Sequence, residues 1–302
     1  MNNTKGTRKH SKIAEFFIRL VKEKPLGTVG AIITLLLLLT GIFANYIAPY
    51  GMNEAHMADM LTPPSAKYWL GTDNMGRDIL SRIIYGARVS MIVGLSASAI
   101  STFITVVIGT LCGYIGGKFD LLVQRIVDSF MCFPALILLM VVLSNIGAGI
   151  WQIVIVLGIT WGIQASRIIR GAVISVKENI YVKAAESIGS SPLRILTKHI
   201  LPNILAIIVI QFTVQVPGII MTEASLSFLG FGIPPPNPSW GSMLSGTARS
   251  YMIKAPWMAL WPGLALSLVV YGVSMFGDSM RDILDPRLRG GIGRYGAPRK
   301  KA

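Results

Sequence analysis

The chain has 302 residues, 52% of them apolar and only 14% charged, with a mean hydropathy of +0.60. Soluble domains carry about 25% charged residues, so an ordinary globular enzyme is excluded. The 28 Lys and Arg against 14 Asp and Glu leave +14, but they fall between long uncharged runs rather than on one folded face, which argues against nucleic-acid binding. Apolarity with a basic excess points to an integral membrane protein with its positive residues in cytoplasmic loops.

Residues 1–27 are basic and read as a cytoplasmic N-terminal segment. The apolar run that follows is about twice as long as a signal-peptide core and ends in no A-x-A pattern, so it reads as a retained anchor. No Asp, Glu, Lys or Arg occurs in 25–53, 89–117, 129–166, 199–222 or 255–277. A spanning helix needs about 20 apolar residues, so four windows hold one helix each, the first placed at 28–47. The window 129–166 is too long for one and carries Asn145-Ile146-Gly147-Ala148-Gly149 in its middle, a turn signal that divides it into a helical hairpin. The expected fold is all-α, with six transmembrane helices. An extracytoplasmic segment covers 48–88, a five-helix core covers 89–280, and a basic tail covers 281–302. Pro234-Pro235-Pro236-Asn237-Pro238 interrupts 224–248, which reads as an irregular loop or a re-entrant segment.

Charge sets the orientation. Segments 1–28, 113–128, 167–198 and 278–302 hold 22 of the 28 Lys and Arg, whereas 48–88 and 223–256 hold 6. The positive-inside rule places both termini in the cytoplasm. Pro134, Pro217 and Pro262 read as hinges or as kinks locked by neighbours. Gly109, Gly113 and Gly117, like Gly158 and Gly162, recur at every fourth position, as close helix packing requires. Trp69, Trp151, Trp240, Trp257 and Trp261 read as interfacial anchors. Cys112 and Cys132 lie in apolar runs without metal-ligand or disulfide spacing, as buried thiols do.

The sequence lacks a phosphate-binding G-x-x-x-x-G-K-[ST] loop, and its proposed spans hold no pair of carboxylates of the kind ion-coupled transporters keep at mid-membrane depth. Glu223 and Asp278 lie near span ends, open to either a coupling or an interfacial role. No cofactor is expected on this chain, and the energy for moving a solute must come from a partner. In span five, Gln211, Thr213, Gln215, Thr222 and Glu223 place polar groups at membrane depth, where lipid-facing positions are costly. They are expected to face the interior, lining a solute route or bonding neighbouring helices.

The cytoplasmic segment 170–202 is the most informative. Residues 178–188 suit a short helix, and Gly189 suits its left-handed stop. Ser191 and Pro192 suit an N-cap and first position, and Pro202 suits the start of span five. The result is a helix–turn–helix elbow, packed on its own membrane helices or docked by another protein.

Tyr181, Ala184, Ala185 and Gly189, then Ser191, Pro192, Arg194, Leu201 and Pro202, resemble the EAA loop of membrane permeases in ABC importers. Lys183 stands where that motif has Glu, and His199 where it has Ile. Asp73, Gly76, Arg77 and Asp78 before span two, and Asp278, Arg281, Asp282 and Asp285 at and beyond the inner end of span six, resemble the second (C-type) permease of dipeptide and oligopeptide importers. That resemblance implies a type I permease fold, with the elbow docked on a cytoplasmic ATPase. The implied partners are a homologous permease, two ATPases that bind ATP and Mg, an extracytoplasmic solute-binding protein and the lipid bilayer of a bacterial or archaeal cytoplasmic membrane. ATP hydrolysis then belongs to the partners. Nickel, glutathione and oligosaccharide importers share the architecture, and a self-sufficient channel or ion-coupled secondary transporter is the rival from another class.

Overall fold

In the computed structural model, residues 12–147 and 149–284 are described. The remainder of the two terminal segments, Asp285 included, lies outside them. Among the described residues the regular secondary structure is helical.

The chain enters through α1 (Lys12–Glu23) and α2 (Pro25–Ile42), with Pro25 at the first helical position of α2, where its missing N–H costs nothing. The short α3 (Ala44–Ile47) leads into an irregular stretch. Asp78 then opens α4 (Ile79–Ile115), its carboxylate accepting from the Ser81 amide at 2.8 Å. At 37 residues and 1.5 Å per residue, α4 is roughly 55 Å long, well beyond a bilayer core of ~30 Å. It therefore begins ten residues before its uncharged window.

Next come α5 (Gly117–Cys132), α6 (Ala135–Ile146) and α7 (Ile150–Lys177), then the short α8 (Ile180–Ser187) and α9 (Pro192–Ile195). A π-helical turn, Leu196–Ile200, joins α9 to α10 (Leu201–Phe228). The chain closes with α11 (Trp240–Leu244), α12 (Thr247–Tyr251) and α13 (Trp257–Leu284). Five helical segments are long and apolar enough to cross a membrane; the pair α5 and α6, bent by 90°, makes a sixth if it counts as one span.

The register of packing settles how the spans run. A Cβ on Gly158 would meet Ile100 and the Ala97 carbonyl, and one on Gly162 would lie 2.8 Å from the Ser101 carbonyl. On Gly109 it would lie 2.6 Å from the Ser166 carbonyl, and on Gly113 2.9 Å from that of Arg170. Numbers rise together on both helices, so α4 and α7 are parallel. The segment between them must return across the layer, and that return leg is the bent pair. By the same test α2 runs antiparallel to α13, with Gly30 against Gly272 and Phe276, and α10 antiparallel to α4, with Gly94 against Ile220 and Ser101 bonded to Gln215. The start of α2 and the end of α13 lie on one face, where Lys24 Nζ meets Asp282 at 2.6 Å.

Several expectations need correction. The third span is not a straight hairpin arm over 129–146. Its chain turns at Phe133 and Pro134, because proline cannot continue the helix hydrogen bonds, and α5 lies across the end of the bundle. Gly117 takes no part in the glycine seam; it has φ +57° and open space at its Cβ position. Trp240 is no interfacial anchor, for it is buried with its indole N–H donating to the Ile83 carbonyl at 3.1 Å. Cys132, expected inside, is exposed on α5. Pro217 and Pro262 remain within α10 and α13.

The glycine seam gives a direct test. Gly109→Leu should drive a side chain into the α7 backbone and cut the folded abundance of the protein in membranes several-fold. Gly171→Ala on α7 faces open space and should be neutral or stabilising, by up to about 1 kcal/mol. In-gel fluorescence of a fusion, with thermal denaturation in detergent, separates the two.

Candidate functional site

The elbow forms on the face that holds Lys24 and Asp282. α8 begins after Asn179 and stops at Gly189, whose φ is +77°, a left-handed conformation that glycine adopts without a Cβ penalty. Ser191 has the extended backbone of an N-cap, and Pro192 takes the first position of α9, although the Ser191 hydroxyl makes no capping bond. α9 does not end before span five as expected. It continues through the π turn into α10, so 192–228 is one continuous helical rod. Pro202 lies in the first turn of α10 rather than at a fresh start after a loop.

Burial divides the elbow into two faces. Val182, Ala185, Ile195, Ile200 and Ile204 pack with Ile169 and Val173 of α7 in one apolar cluster. Ala185 is only 6% exposed, so its small side chain packs within the chain. Ala184, Ser191, Pro192, Arg194 and Pro202 are exposed, Leu201 is half-buried, and the ring of Tyr181 lies 6.5 Å from that of His199. The outer face also carries Ile180, Ile188 and Leu193, exposed by 86%, 82% and 71%. Sequence reasoning missed these three, though apolar residues beside a glycine stop outside any span are a readable signal.

The polar groups of span five do not converge on one lining. Gln215 is buried and its Oε1 accepts from Ser101 of α4, leaving Nε2 without a partner. The hydroxyls of Thr213 and Thr222 donate to carbonyls of their own helix, at Ile210 and Gly218. Gln211 is half-buried. Glu223 is buried and accepts from Ser227 at 2.6 Å, and Ser227 lies within 3.2 Å of Ser239. Glu223 therefore ties α10 to the loop that follows, while Asp278 is exposed. Arg281 is exposed beside Asp282. The α4 face bearing Ser90, Ser98, Ser101 and Thr105 is buried as well; its spacing was legible as one helical stripe.

On the opposite face, Asp73 organises the turn before α4. Its Oδ1 accepts from the amides of Met75 and Arg77 at 2.8 and 3.0 Å, and its Oδ2 accepts from Arg77 Nε at 2.7 Å. Gly76 has φ +70°, and Asp78 caps the helix. Nearby, Lys67 Nζ and the Tyr68 hydroxyl donate to Asp59 at 2.7 and 2.8 Å, and these two bonds hold its carboxyl below its ordinary value. The stabilisation is thus present above the ordinary carboxylate range and is lost only as pH falls through the lowered value.

Residues 105–290 match the sequence model of the family described as binding-protein-dependent transport system inner membrane component. The chain belongs to this family. Residues 11–64 match the N-terminal transmembrane domain of oligopeptide transport permease C. The permease is 37% identical over 270 residues to the oligopeptide transport system permease protein OppC of Bacillus subtilis (strain 168), covering 89% of this chain and 88% of that one. It is 35% identical over 271 residues to the dipeptide transport system permease protein DppC of the same organism, covering 90% and 85%. It is 38% identical over 275 residues to the glutathione transport system permease protein GsiD of Escherichia coli O6:K15:H31, covering 91% and 90%.

The geometry separates two reasons for needing a small residue in the permease's elbow. A Cβ on Gly189 would meet nothing within 4 Å, so substitution there costs backbone strain alone, about 1–2 kcal/mol. Gly189→Asn, which tolerates the left-handed region, should keep uptake near wild type, whereas Gly189→Val should lose most of it at unchanged abundance. Radiolabelled-solute uptake against immunoblotted membrane protein measures both.

Proposed function

We propose that this chain is one of two permease subunits of an ATP-binding-cassette importer that moves di- or oligopeptides into a bacterial or archaeal cell. The observation that carries the reading is the exposed apolar tip of the elbow, set on a helical rod continuous with span five. Ile180 and Ile188 lie outside the candidate spans and Leu193 in the first turn of the rod, and large apolar side chains left exposed there mark an interaction site. Force on that tip moves α10 as a unit. The names of the relatives support peptide as the solute class, with glutathione, itself a peptide, inside it.

The mechanism follows as alternating access. Cytoplasmic ATPases, which bind ATP and Mg, close on nucleotide and pull the elbow. The rod moves with the elbow, and the spans reorient to receive solute from an extracytoplasmic binding protein. This chain supplies the passage and the lever; hydrolysis takes place on the ATPases. Both termini and the elbow face the cytoplasm, as the Lys and Arg distribution requires.

Two measurements test this. Ile188→Asp with Leu193→Asp should abolish co-purification of the ATPase while leaving the permease in the membrane; retained stoichiometric ATPase would sink the docking assignment. In a Cys112→Ser, Cys132→Ser background, single cysteines at Lys67 and Ile253 should react with an impermeant thiol reagent added outside intact cells, and one at Ser190 should not. The reverse pattern would invert the topology.

A further inference from the structure

Opposite the elbow, a cavity of about 340 Å3 lies between the start of α4 and the loop joining α10 to α11. That is within the ~300–1,000 Å3 of small-ligand sites. Arg77 and Arg82 form one wall; Ser227, Asn237, Ser242 and Ser245 contribute polar groups to the rest. Neither the elbow mechanism nor the span-five polar groups account for it.

Arg82 is the unusual member. It is 9% exposed, yet its hydrogen bonds are two long ones of 3.4 Å, both from Nη1, to the Met52 carbonyl and Asn53 Oδ1. Its Nε stands 3.9 Å from Asp73 Oδ2, beyond hydrogen-bond reach, because Arg77 holds that oxygen at 2.7 Å. Nε and Nη2 therefore keep their donors unspent. Arg82 lines the cavity, and this open edge has the fork geometry that a carboxylate fills with two parallel bonds. The charged groups around it are Asp73 and Arg77, with Asp78 engaged by Ser81 and Glu223 standing behind Ser227.

We propose that Arg82, with Arg77 beside it, forms a carboxylate-binding station that takes the C-terminal carboxylate of a peptide solute as it enters the permease. The station rests on the peptide-importer reading and adds to it a specificity for the free acid. The recessed position of Arg82 favours the end of a small solute over an acidic side chain on a docked protein surface.

The test uses the complete transporter in proteoliposomes, with trialanine and trialanine amide each supplied at concentrations that saturate the binding protein. Wild type should import the acid on the order of tenfold faster than the amide, the size of a charge-assisted pair. Arg82→Gln should bring the two rates together by slowing the acid alone, and Arg82→Lys should keep part of the preference. Asn237→Glu places a resident carboxylate in the same cavity and should also erase the preference, with Arg82 untouched. Equal wild-type rates overturn the proposal alone, as does a preference that survives both Arg82→Gln and Asn237→Glu. If Arg82→Gln slows acid and amide alike and weakens ATPase stimulation by loaded binding protein, the cavity contacts that protein and the solute station is wrong. Import of neither peptide by wild type overturns the peptide reading, and this proposal with it.

Discussion

Two parallel helices cannot follow one another in a membrane without a return leg, and here the parallel pair is also the closest-packed. Gly109 and Gly113 of α4 lie against the α7 backbone, and Gly158 and Gly162 of α7 against that of α4. Thr105 ties the crossing by donating to the Gly162 carbonyl at 3.1 Å. Between helices in lipid the hydrophobic effect offers little, so association depends on this backbone proximity and on buried polar contacts. The seam forces α5 and α6 back across the layer, and it leaves α2, α10 and α13 to pack around it. It also carries α7 down to the elbow.

The base of α7 is where the seam meets the elbow. Arg170 grips Asp120 through two bonds of 2.6 and 2.5 Å, Arg167 pairs with Asp128, and Lys177 Nζ donates to the Tyr114 carbonyl at 2.7 Å. These contacts pin α5 and the end of α4 to α7. Ile169 and Val173 of the same helix bury Val182 and Ala185 of α8 and Ile195 and Ile200 of the rod. The elbow is therefore seated on the base of α7 and attached to α10.

Much of this was legible in the sequence, for physical reasons. Absent charges mark hydrocarbon depth without any structure, and Gly189, Ser191 and Pro192 mark a stop and a start by local backbone chemistry alone. Four-residue glycine spacing announced close packing, though not which helix would be the partner or that Gly117 would stand aside. What stayed hidden depends on tertiary placement. Nothing local distinguishes Ala185, which is buried, from Ala184, which is exposed. Nor does it show that Trp240 would fill space beneath Gly86, or that Arg77 would take the oxygen Arg82 needs. The π turn was missed because Pro202 reads locally as a beginning, whereas the helix from Pro192 runs on through the π turn, Leu196–Ile200, just before it.

The central claim is that ATP consumed on the elbow's side drives solute across these spans. Proteoliposomes containing the assembled transporter, with ATP enclosed on the elbow face and loaded binding protein on the other, test it most directly. The account predicts peptide accumulation against its gradient that ceases when ATP is left out. Uptake that proceeds without ATP and stops at equilibrium would contradict it.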